Sequence, residues 1–283
     1  MKRIIIAIIG VAVFLPGLQA RAGDDTTSVA QEQKKGGDLR AAAQNPVASM
    51  YSLPIKLTVD SGAPNGEAFF LNVNPVIPAT VGDWNLISRF IIPALISVDG
   101  FIEGTPDIPA GSPGVDRKTG LGDINYSLFF SPTDSKPIWG IGPSISLPTA
   151  SDDQLGSGKW SAGPTGVVLM QQKWGTFGGL ARQIWSFGGD SDRADVNQFL
   201  IEPFAMYNLA KGWYLVTDMI MTANWDAPSG KEWTVPMGGG FGKLLTIGKQ
   251  PINANLQAYY NVEKPDAAPD WQVAFTMSFL FPK

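Results

Sequence analysis

The chain contains neither cysteine nor histidine among its 283 residues. The missing thiols exclude disulfide bonds and thiolate catalysis. The missing imidazoles exclude Ser-His-Asp and Cys-His catalysis, histidine metal sites and histidine pH switches. The sequence therefore predicts no catalytic residues, no metal site and no cofactor. An enzyme remains an alternative only through a serine activated by a lysine or a carboxylate.

Charged residues make up 16% of the chain, well below the roughly 25% of ordinary soluble domains. No stretch of about 20 apolar residues follows the N-terminus, which argues against a helical membrane protein. Glycine (32 residues), proline (22) and tryptophan (9) are instead abundant. This mixture is poor for helices and suits strands joined by turns, so the composition predicts an all-β chain.

Residues 1–22 have the features of a secretory signal peptide. Residues 1–3 are a basic start, residues 4–18 are apolar and residues 20–22 form a small-x-small cleavage site. Cleavage after Ala22 removes three of the 21 lysines and arginines and none of the 25 acidic residues, so 18 basic residues remain and the charge is near −7. An acidic chain of this kind predicts no nucleic-acid partner.

After the first 44 residues, segments of about ten residues with alternate positions apolar are separated by turn-rich breaks. In the last segment Trp271 and Phe275 share one face of a strand, while Thr276 lies on the other. About twelve such segments occur, an even number, as in single-chain bacterial outer-membrane barrels. The predicted fold is a transmembrane antiparallel up-and-down β-barrel of about 12 strands.

The breaks between these segments alternate in length. The short breaks are Ala79–Asp83, Ser131–Pro137, Gln172–Thr176, Asn208–Gly212 and Thr246–Gln250. The longer, acidic breaks are Asp60–Glu67, Ser97–Thr119, Thr149–Lys159, Gly188–Asp195, Asp226–Glu232 and Glu263–Asp270. Short periplasmic turns that alternate with longer external loops are typical of transmembrane barrels. We therefore expect both chain termini in the periplasm.

Tryptophan gives an independent test, because a lipid-spanning barrel carries aromatic girdles at both membrane interfaces. Four tryptophans fall at the predicted periplasmic strand ends: Trp84, Trp139, Trp174 and Trp213. Five fall at the predicted outer ends: Trp160, Trp185, Trp225, Trp233 and Trp271. A soluble β-sandwich would more often bury tryptophan in mid-strand, so the distribution favours the membrane barrel.

Polar residues collect on the strand face opposite to the apolar one. Six charged residues are predicted to line the lumen: Lys56, Arg89, Asp123, Arg182, Glu202 and Asp218. An arginine or lysine facing lipid at bilayer depth would cost about 2–4 kcal/mol, so these side chains should face inward. They either line a channel that selects solutes by charge or form a paired network that fills a narrow barrel.

Two further motifs resemble ligand sites but lack required residues. Residues 238–243 (GGGFGK) fail the P-loop spacing, because Met237 and Leu244 occupy positions that need Gly and Ser or Thr. These glycines are predicted instead to let a strand bend or a lumen plug approach. Residues 188–195 (GGDSDRAD) place Asp190 and Asp192 like calcium ligands but lack the next ligand and the required glycine. They predict at most loose binding of divalent ions.

Several stretches resemble one bacterial family. They are NPVASMYSLPI (45–55), VNPVIPATVGDWNLISRFIIP (73–93), GLGDINYSLFFSP (120–132), WGIGPSISLPTASDDQLGSGKWSAGPTGV (139–167) and IWSFGGDSDRADVN (184–197). The chain is similar in these stretches to the outer-membrane proteins grouped as "meta-pathway of phenol degradation". The resemblance implies an outer-membrane β-barrel and a link to the uptake of aromatic compounds, and it supplies no catalytic residues.

The predicted organisation is a signal peptide at 1–22, a polar periplasmic leader at 23–44 and an outer-membrane barrel at 45–283. The aromatic C-terminal strand resembles the signal that barrel-insertion machinery recognises. Outer-membrane lipid, lipopolysaccharide and a small-molecule solute are the other expected partners.

Three functions remain open. The first is a porin-like channel or transporter for small solutes, including aromatic or hydrophobic compounds. The second is a structural or surface-interaction barrel whose lumen is plugged, with the break Ser97–Thr119 as its cover. The third is an outer-membrane enzyme that modifies lipids.

Overall fold

The computed structural model describes residues 39–64, 66–109 and 116–282. The predicted signal peptide and most of the predicted leader lie outside the described residues. The strands are β1 (Tyr51–Ala63), β2 (Gly66–Val73), β3 (Val76–Val81), β4 (Trp84–Val98), β5 (Lys118–Gly120), β6 (Ile124–Pro132), β7 (Ile138–Leu147), β8 (Lys159–Gln172), β9 (Gly175–Gly189), β10 (Asn197–Asn208), β11 (Trp213–Asp218), β12 (Met221–Asn224), β13 (Trp233–Ile247), β14 (Gln250–Glu263) and β15 (Trp271–Phe281).

The 15 segments form the twelve strands of one closed barrel, because three of the wall strands each consist of two segments. The interrupted strands are β2 with β3, β5 with β6, and β11 with β12. The predicted all-β antiparallel barrel of about 12 strands is therefore confirmed.

Closure of the barrel joins the two ends of the chain. β1 pairs with β15 from Tyr51 opposite Phe281 to Ser61 opposite Trp271, and its other edge pairs with β2. Antiparallel pairing continues around the ring, and β9 pairs with β10 to complete it. An open edge would leave backbone N–H and C=O groups unpartnered, which hydrocarbon does not tolerate.

Side chains alternate between the outer and inner faces of the wall. In β15, Trp271 and Phe275 are 51% and 39% exposed, whereas Ala274 and Leu280 are almost fully buried. The outer face of the other strands also exposes large apolar side chains, among them Ile141 and Phe241. A surface of this composition is solvated better by lipid than by water.

The connections at the two ends of the barrel differ in length. Residues 82–83, 133–137, 173–174, 209–212 and 248–249 form the turns at the end where β1 begins and β15 ends. Gly82 and Gly248 have φ values of 58° and 62°, a conformation that glycine adopts without a Cβ penalty in two-residue turns. At the other end the longer connections are residues 99–117, 148–158, 190–196, 225–232 and 264–270.

One predicted loop is wrong. The stretch Asp60–Glu67 was expected to be a long external loop, but β1 continues to Ala63 and β2 begins at Gly66. A register shift between Asp60 and Ala63 keeps the two strands paired up to the turn. Asp60 is consequently buried in the wall, where its Oδ1 accepts a 3.0 Å hydrogen bond from Gln272 Nε2.

Helical structure is sparse in the described part of the chain. Residues 39–43 are helical, and short 3₁₀ turns occur at Asp153–Leu155 and Ala210–Gly212. Within residues 39–64, 66–109 and 116–282, no helix combines the length and apolar character needed to cross a membrane.

An arginine introduced on the outer face of β15 should have the opposite effect to one introduced on its inner face. Phe275 faces outward between Leu57 and Leu256, while Thr276 borders the interior cavity between Lys56 and Asn255. Phe275→Arg should cost about 2–4 kcal/mol of insertion free energy and prevent stable assembly. Thr276→Arg should assemble, because interior polar groups and water can solvate the guanidinium. The amount of each variant recovered as membrane-embedded, heat-modifiable barrel measures the difference. Equal tolerance of both changes would show that this strand does not border lipid.

Candidate functional site

A cavity of about 280 Å³ occupies the middle of the barrel and is called the chamber below. Its lining includes all six charged residues that the strand pattern assigned to the lumen: Lys56, Arg89, Asp123, Arg182, Glu202 and Asp218. It also includes Asp60 and Asp107, which the sequence did not indicate. Asp60 shares the strand parity of Lys56, so a longer β1 would have revealed it. Asp107 comes from a loop, where no periodic pattern points inward.

Asp123 differs from the other charged residues because its carboxylate accepts hydrogen bonds from the β7–β8 connection. Its Oδ1 accepts a hydrogen bond from Ala150 N at 3.0 Å, and its Oδ2 accepts from Ser157 N at 2.7 Å and Ser157 Oγ at 2.8 Å. A carboxylate with three such donors is held firmly. Asp123 therefore fixes a loop against the rim of the chamber.

The remaining chamber charges are not closely paired. Within the described residues, Lys56, Arg89 and Glu202 form no ion pair within 4.0 Å, and all six ion pairs lie at the long-loop end. Glu202 lies within electrostatic range of the positive Arg89 and the negative Asp218. Charges at this depth need water, a solute or distant counter-charges for solvation.

Two buried polar side chains in the chamber lining have atoms without a hydrogen-bond partner among the described residues. Arg182 is 7% exposed and donates from Nη2 to Gln198 Oε1 at 3.0 Å, but its Nε has no hydrogen-bond partner. Asn72 is 4% exposed, and its Oδ1 is also without a partner. Buried groups of this kind are normally satisfied by water or a ligand. Asn74 also lines the chamber, and its buried Oδ1 has no partner among the described residues, so the chamber offers one donor and two acceptors to an occupant.

An N-terminal segment, residues 39–50, occupies the end of the barrel that carries the short turns. Gln44 Nε2 donates to Asn208 Oδ1, and Gln44 Oε1 accepts from Thr176 Oγ1, each at 3.0 Å. Val47 is 2% exposed and packs into an apolar cluster with wall residues that include Ile87 and Phe129. The Val47 contact gives the chamber an apolar floor, and the hydrogen bonds of Gln44 bring the last residue of the predicted leader against the wall.

An inserted loop, residues 99–109, enters the barrel from the opposite end. Ile102 and Ile108 are each 4% exposed and cluster with Phe70, Ile96 and other buried residues. Beside them, Asn72 Nδ2 donates a 3.1 Å hydrogen bond to Asp107 Oδ2. This segment belongs to the stretch Ser97–Thr119 that was predicted to cover the lumen. The polar middle of the chamber therefore lies between the apolar packing of the N-terminal segment and that of the inserted loop.

The nine girdle tryptophans lie near the two ends of the wall. Seven of them are exposed on the barrel surface: Trp84, Trp160, Trp174, Trp185, Trp213, Trp225 and Trp271. Trp139 and Trp233 are partly covered by T-shaped contacts with Trp84 and Trp225, whose ring centroids lie 6.0 and 5.6 Å away. Exposed aromatic rings at both rims match the interfaces of a lipid-spanning wall.

The acidic loop at residues 188–195 forms a local turn. Asp192 N donates to Asp190 Oδ1 at 3.0 Å. No group of three or more histidine, cysteine, aspartate or glutamate side chains suitable for a metal ion occurs within the part of the chain that the structure describes.

A family model described as "Putative MetA-pathway of phenol degradation" matches residues 36–281. The COG4313 outer membrane channel from Pseudomonas putida F1 has a TM-score of 0.58 and 14% identity, and the match covers 84% of this chain and 98% of that one. At this identity the likeness establishes the barrel fold alone.

Two other solved structures match with TM-scores too low to support any argument. The P. putida toluene transporter TodX has a TM-score of 0.38 and 10% identity, with coverage of 86% and 92%. The translocator domain of the autotransporter NalP from Neisseria meningitidis has a TM-score of 0.39 and 10% identity, with coverage of 90% and 96%. None of the curated proteins compared matches the chain.

Docking of the inserted loop should weaken as pH rises. Burial raises the pKa of the Asp107 carboxyl above its ordinary 3.8, although Asn72, Lys56 and Arg182 act in the opposite direction. A raised pKa means that the docked loop favours the protonated acid, so its stabilisation is lost as pH rises through that pKa. A cysteine at buried Thr105 should therefore react faster with a maleimide at pH 8 than at pH 4, which is close to the ordinary pKa.

The intrinsic pH dependence of the thiol is removed by dividing each rate by that of Ser191→Cys, an exposed site in another loop. Asp107→Asn should flatten this ratio, because an amide cannot ionise. A ratio that is already flat with Asp107 present would contradict the mechanism.

Proposed function

The chain belongs to the family described as "Putative MetA-pathway of phenol degradation", and on that premise we propose that it is an outer-membrane channel for small solutes. The observation that carries this proposal is the contrast between the outer and inner faces of the barrel wall. Exposed apolar and aromatic side chains cover the outside, while charged residues without close ion-pair partners border a chamber inside. A wall of this kind separates lipid from a polar path.

The chamber supports small aromatic compounds as the substrate class. Its volume of about 280 Å³ is near the lower end of the roughly 300–1,000 Å³ of small-molecule sites. Phe70, Phe129 and Phe204 give it apolar walls, and Arg182 Nε and Asn72 Oδ1 offer polar contacts. A hydroxylated aromatic ring can use both kinds of surface, which agrees with the family description.

The proposed orientation places both ends of the barrel chain in the periplasm. The turns at that end contain two to five residues, whereas the other end carries the long loops and all the described ion pairs. Short periplasmic turns and longer external loops are the usual arrangement. We retain the signal peptide at 1–22, insertion through the C-terminal strand, and lipopolysaccharide around the outer loops as parts of this proposal.

A plugged barrel is the second candidate function. The N-terminal segment and the inserted loop both pack inside the wall, and a barrel closed in this way could serve structure or surface contact alone. A catalytic role has less support. Ser127 Oγ in the chamber lining donates to Ser144 Oγ at 3.0 Å. Ser157 Oγ at the rim does donate to Asp123 Oδ2 at 2.8 Å, but that carboxylate also accepts from Ala150 N and Ser157 N and so holds a loop.

Reconstitution of the purified barrel in a planar bilayer separates these functions. A channel should show discrete current steps, and cells that carry it should take up labelled phenol faster than cells that lack it. A plugged barrel should do neither. Hydrolysis of lipid without current would support the enzyme.

Two single substitutions in the chamber should shift ion selectivity in opposite directions. Arg89→Gln removes a positive charge and should raise the cation-to-anion permeability ratio roughly twofold, whereas Glu202→Gln should lower it by a similar factor. Reversal potentials across a salt gradient measure both ratios. Lys249→Gln, in the exposed turn between β13 and β14 and outside the chamber lining, is the control and should change neither. Shifts of the same sign in the two chamber variants would argue against a charge-selective lining.

A further inference from the structure

The hydrogen-bonded ladder is interrupted at several places in the described wall, and the longest interruption lies between β13 and the strand formed by β11 and β12. β11 pairs with β13 from Trp213 opposite Lys243 to Val216 opposite Gly240. β12 resumes the same register with Thr222 opposite Thr234. Between them, residues 217–221 and 235–239 face each other without ladder pairing. This stretch is called the seam, and it lies at mid-height of the β11–β12 strand.

The composition of β13 explains why the ladder fails at the seam. Pro236 has no N–H to donate, and a register shift separates it from Val235. Gly238, Gly239 and Gly240 follow directly. Glycine has no side chain to pack across a strand pair and often marks an irregular or closely approached backbone. The glycine run therefore belongs to an irregular part of the wall.

Side chains replace part of the missing ladder. Thr217 Oγ1 donates to the Gly238 carbonyl at 2.9 Å. The Tyr259 hydroxyl accepts from Asp218 N at 2.9 Å and lies 2.8 Å from Asp218 Oδ1. Tyr259 belongs to β14, so its ring must pass over β13 to reach Asp218. Gly238 stands directly opposite Tyr259 in the register and leaves room for that crossing.

The seam lies between the chamber and the outside of the barrel. Asp218 and Ile220 border the chamber, and Met237 is 48% exposed on the outer face. Where the ladder is continuous, separating two strands would leave a row of backbone groups unpartnered in hydrocarbon. Across the seam, the described hydrogen bonds are those of Thr217 with Gly238 and of Tyr259 with Asp218.

We propose that the seam is a lateral portal through which small apolar solutes pass between the chamber and the lipid, with Tyr259 as its latch. This inference rests on the proposed channel function. The N-terminal segment and the inserted loop pack inside the two axial ends, whereas the seam is the longest stretch of the described wall without ladder pairing. An aromatic hydrocarbon also partitions into lipid, so a sideways path suits its chemistry.

A reversible cross-link across the seam tests the portal. Met219 faces Met237 when the register of the seam is continued, and the natural chain has no cysteine that would compete. Met219→Cys with Met237→Cys is joined by a short bis-methanethiosulfonate reagent, which reduction removes. The readout is uptake of labelled toluene by intact Gram-negative cells, with planar-bilayer conductance measured in parallel.

Linking the seam should lower toluene uptake at least fivefold, and reduction should restore it. Ion conductance should stay unchanged, because the polar path does not use the seam. The control joins Ala258→Cys to Val273→Cys, a pair on the regular β14–β15 ladder, and linking it should leave uptake unchanged. Tyr259→Phe keeps the ring but removes the latch hydroxyl, so it should raise uptake without any cross-link.

The outcomes separate the portal from the function on which it rests. If unlinked cells take up toluene no faster than cells without the protein, the proposed transport of aromatic compounds fails. If unlinked cells do take it up and linking the seam changes nothing, the solute passes along the barrel axis and the portal is wrong. Loss of conductance together with uptake would also overturn the portal, because the link would then be closing the whole barrel.

Discussion

Every backbone polar group in a wall that borders hydrocarbon needs a partner within the protein, because lipid offers none. The chain meets this demand by joining its last strand, β15, to its first, β1, over eleven residue pairs. The alternating side chains then have only two environments, the lipid outside and the lumen inside. The apolar outer face, the aromatic rims and the inward charges all follow from that closure.

The same constraint makes the interior the natural location for chemistry. Charged side chains that cannot face lipid collect in the lumen, but the described chamber does not pair them within 4.0 Å. Arg182 Nε and Asn72 Oδ1 also lack protein partners. The N-terminal segment and the inserted loop contribute apolar contacts above and below these groups. The result is a small amphipathic chamber, which suits solutes that are partly aromatic and partly polar.

At the seam, the wall lacks the continuous backbone pairing by which β1 and β15 close the barrel. Glycine and proline in β13 interrupt the ladder, and tyrosine and threonine side chains replace some of the missing hydrogen bonds. The barrel thus combines long continuous ladders with a stretch that side-chain hydrogen bonds hold in part. Such a stretch is energetically tolerable only because Asp218 and Tyr259 on the lumen side supply polar partners.

The sequence by itself determined the barrel, because strand period, turn length and tryptophan position are local features that each strand displays separately. The six predicted lumen charges follow from the same parity. Only the tertiary structure decided that Val47 packs against Ile87 and Phe129, that Asp107 enters the lumen, and that Tyr259 reaches Asp218. These contacts join residues about 40 or more positions apart in most cases, and no local periodicity encodes them. Asp60 was misplaced because β1 continues to Ala63, beyond the apolar alternation that the sequence displays.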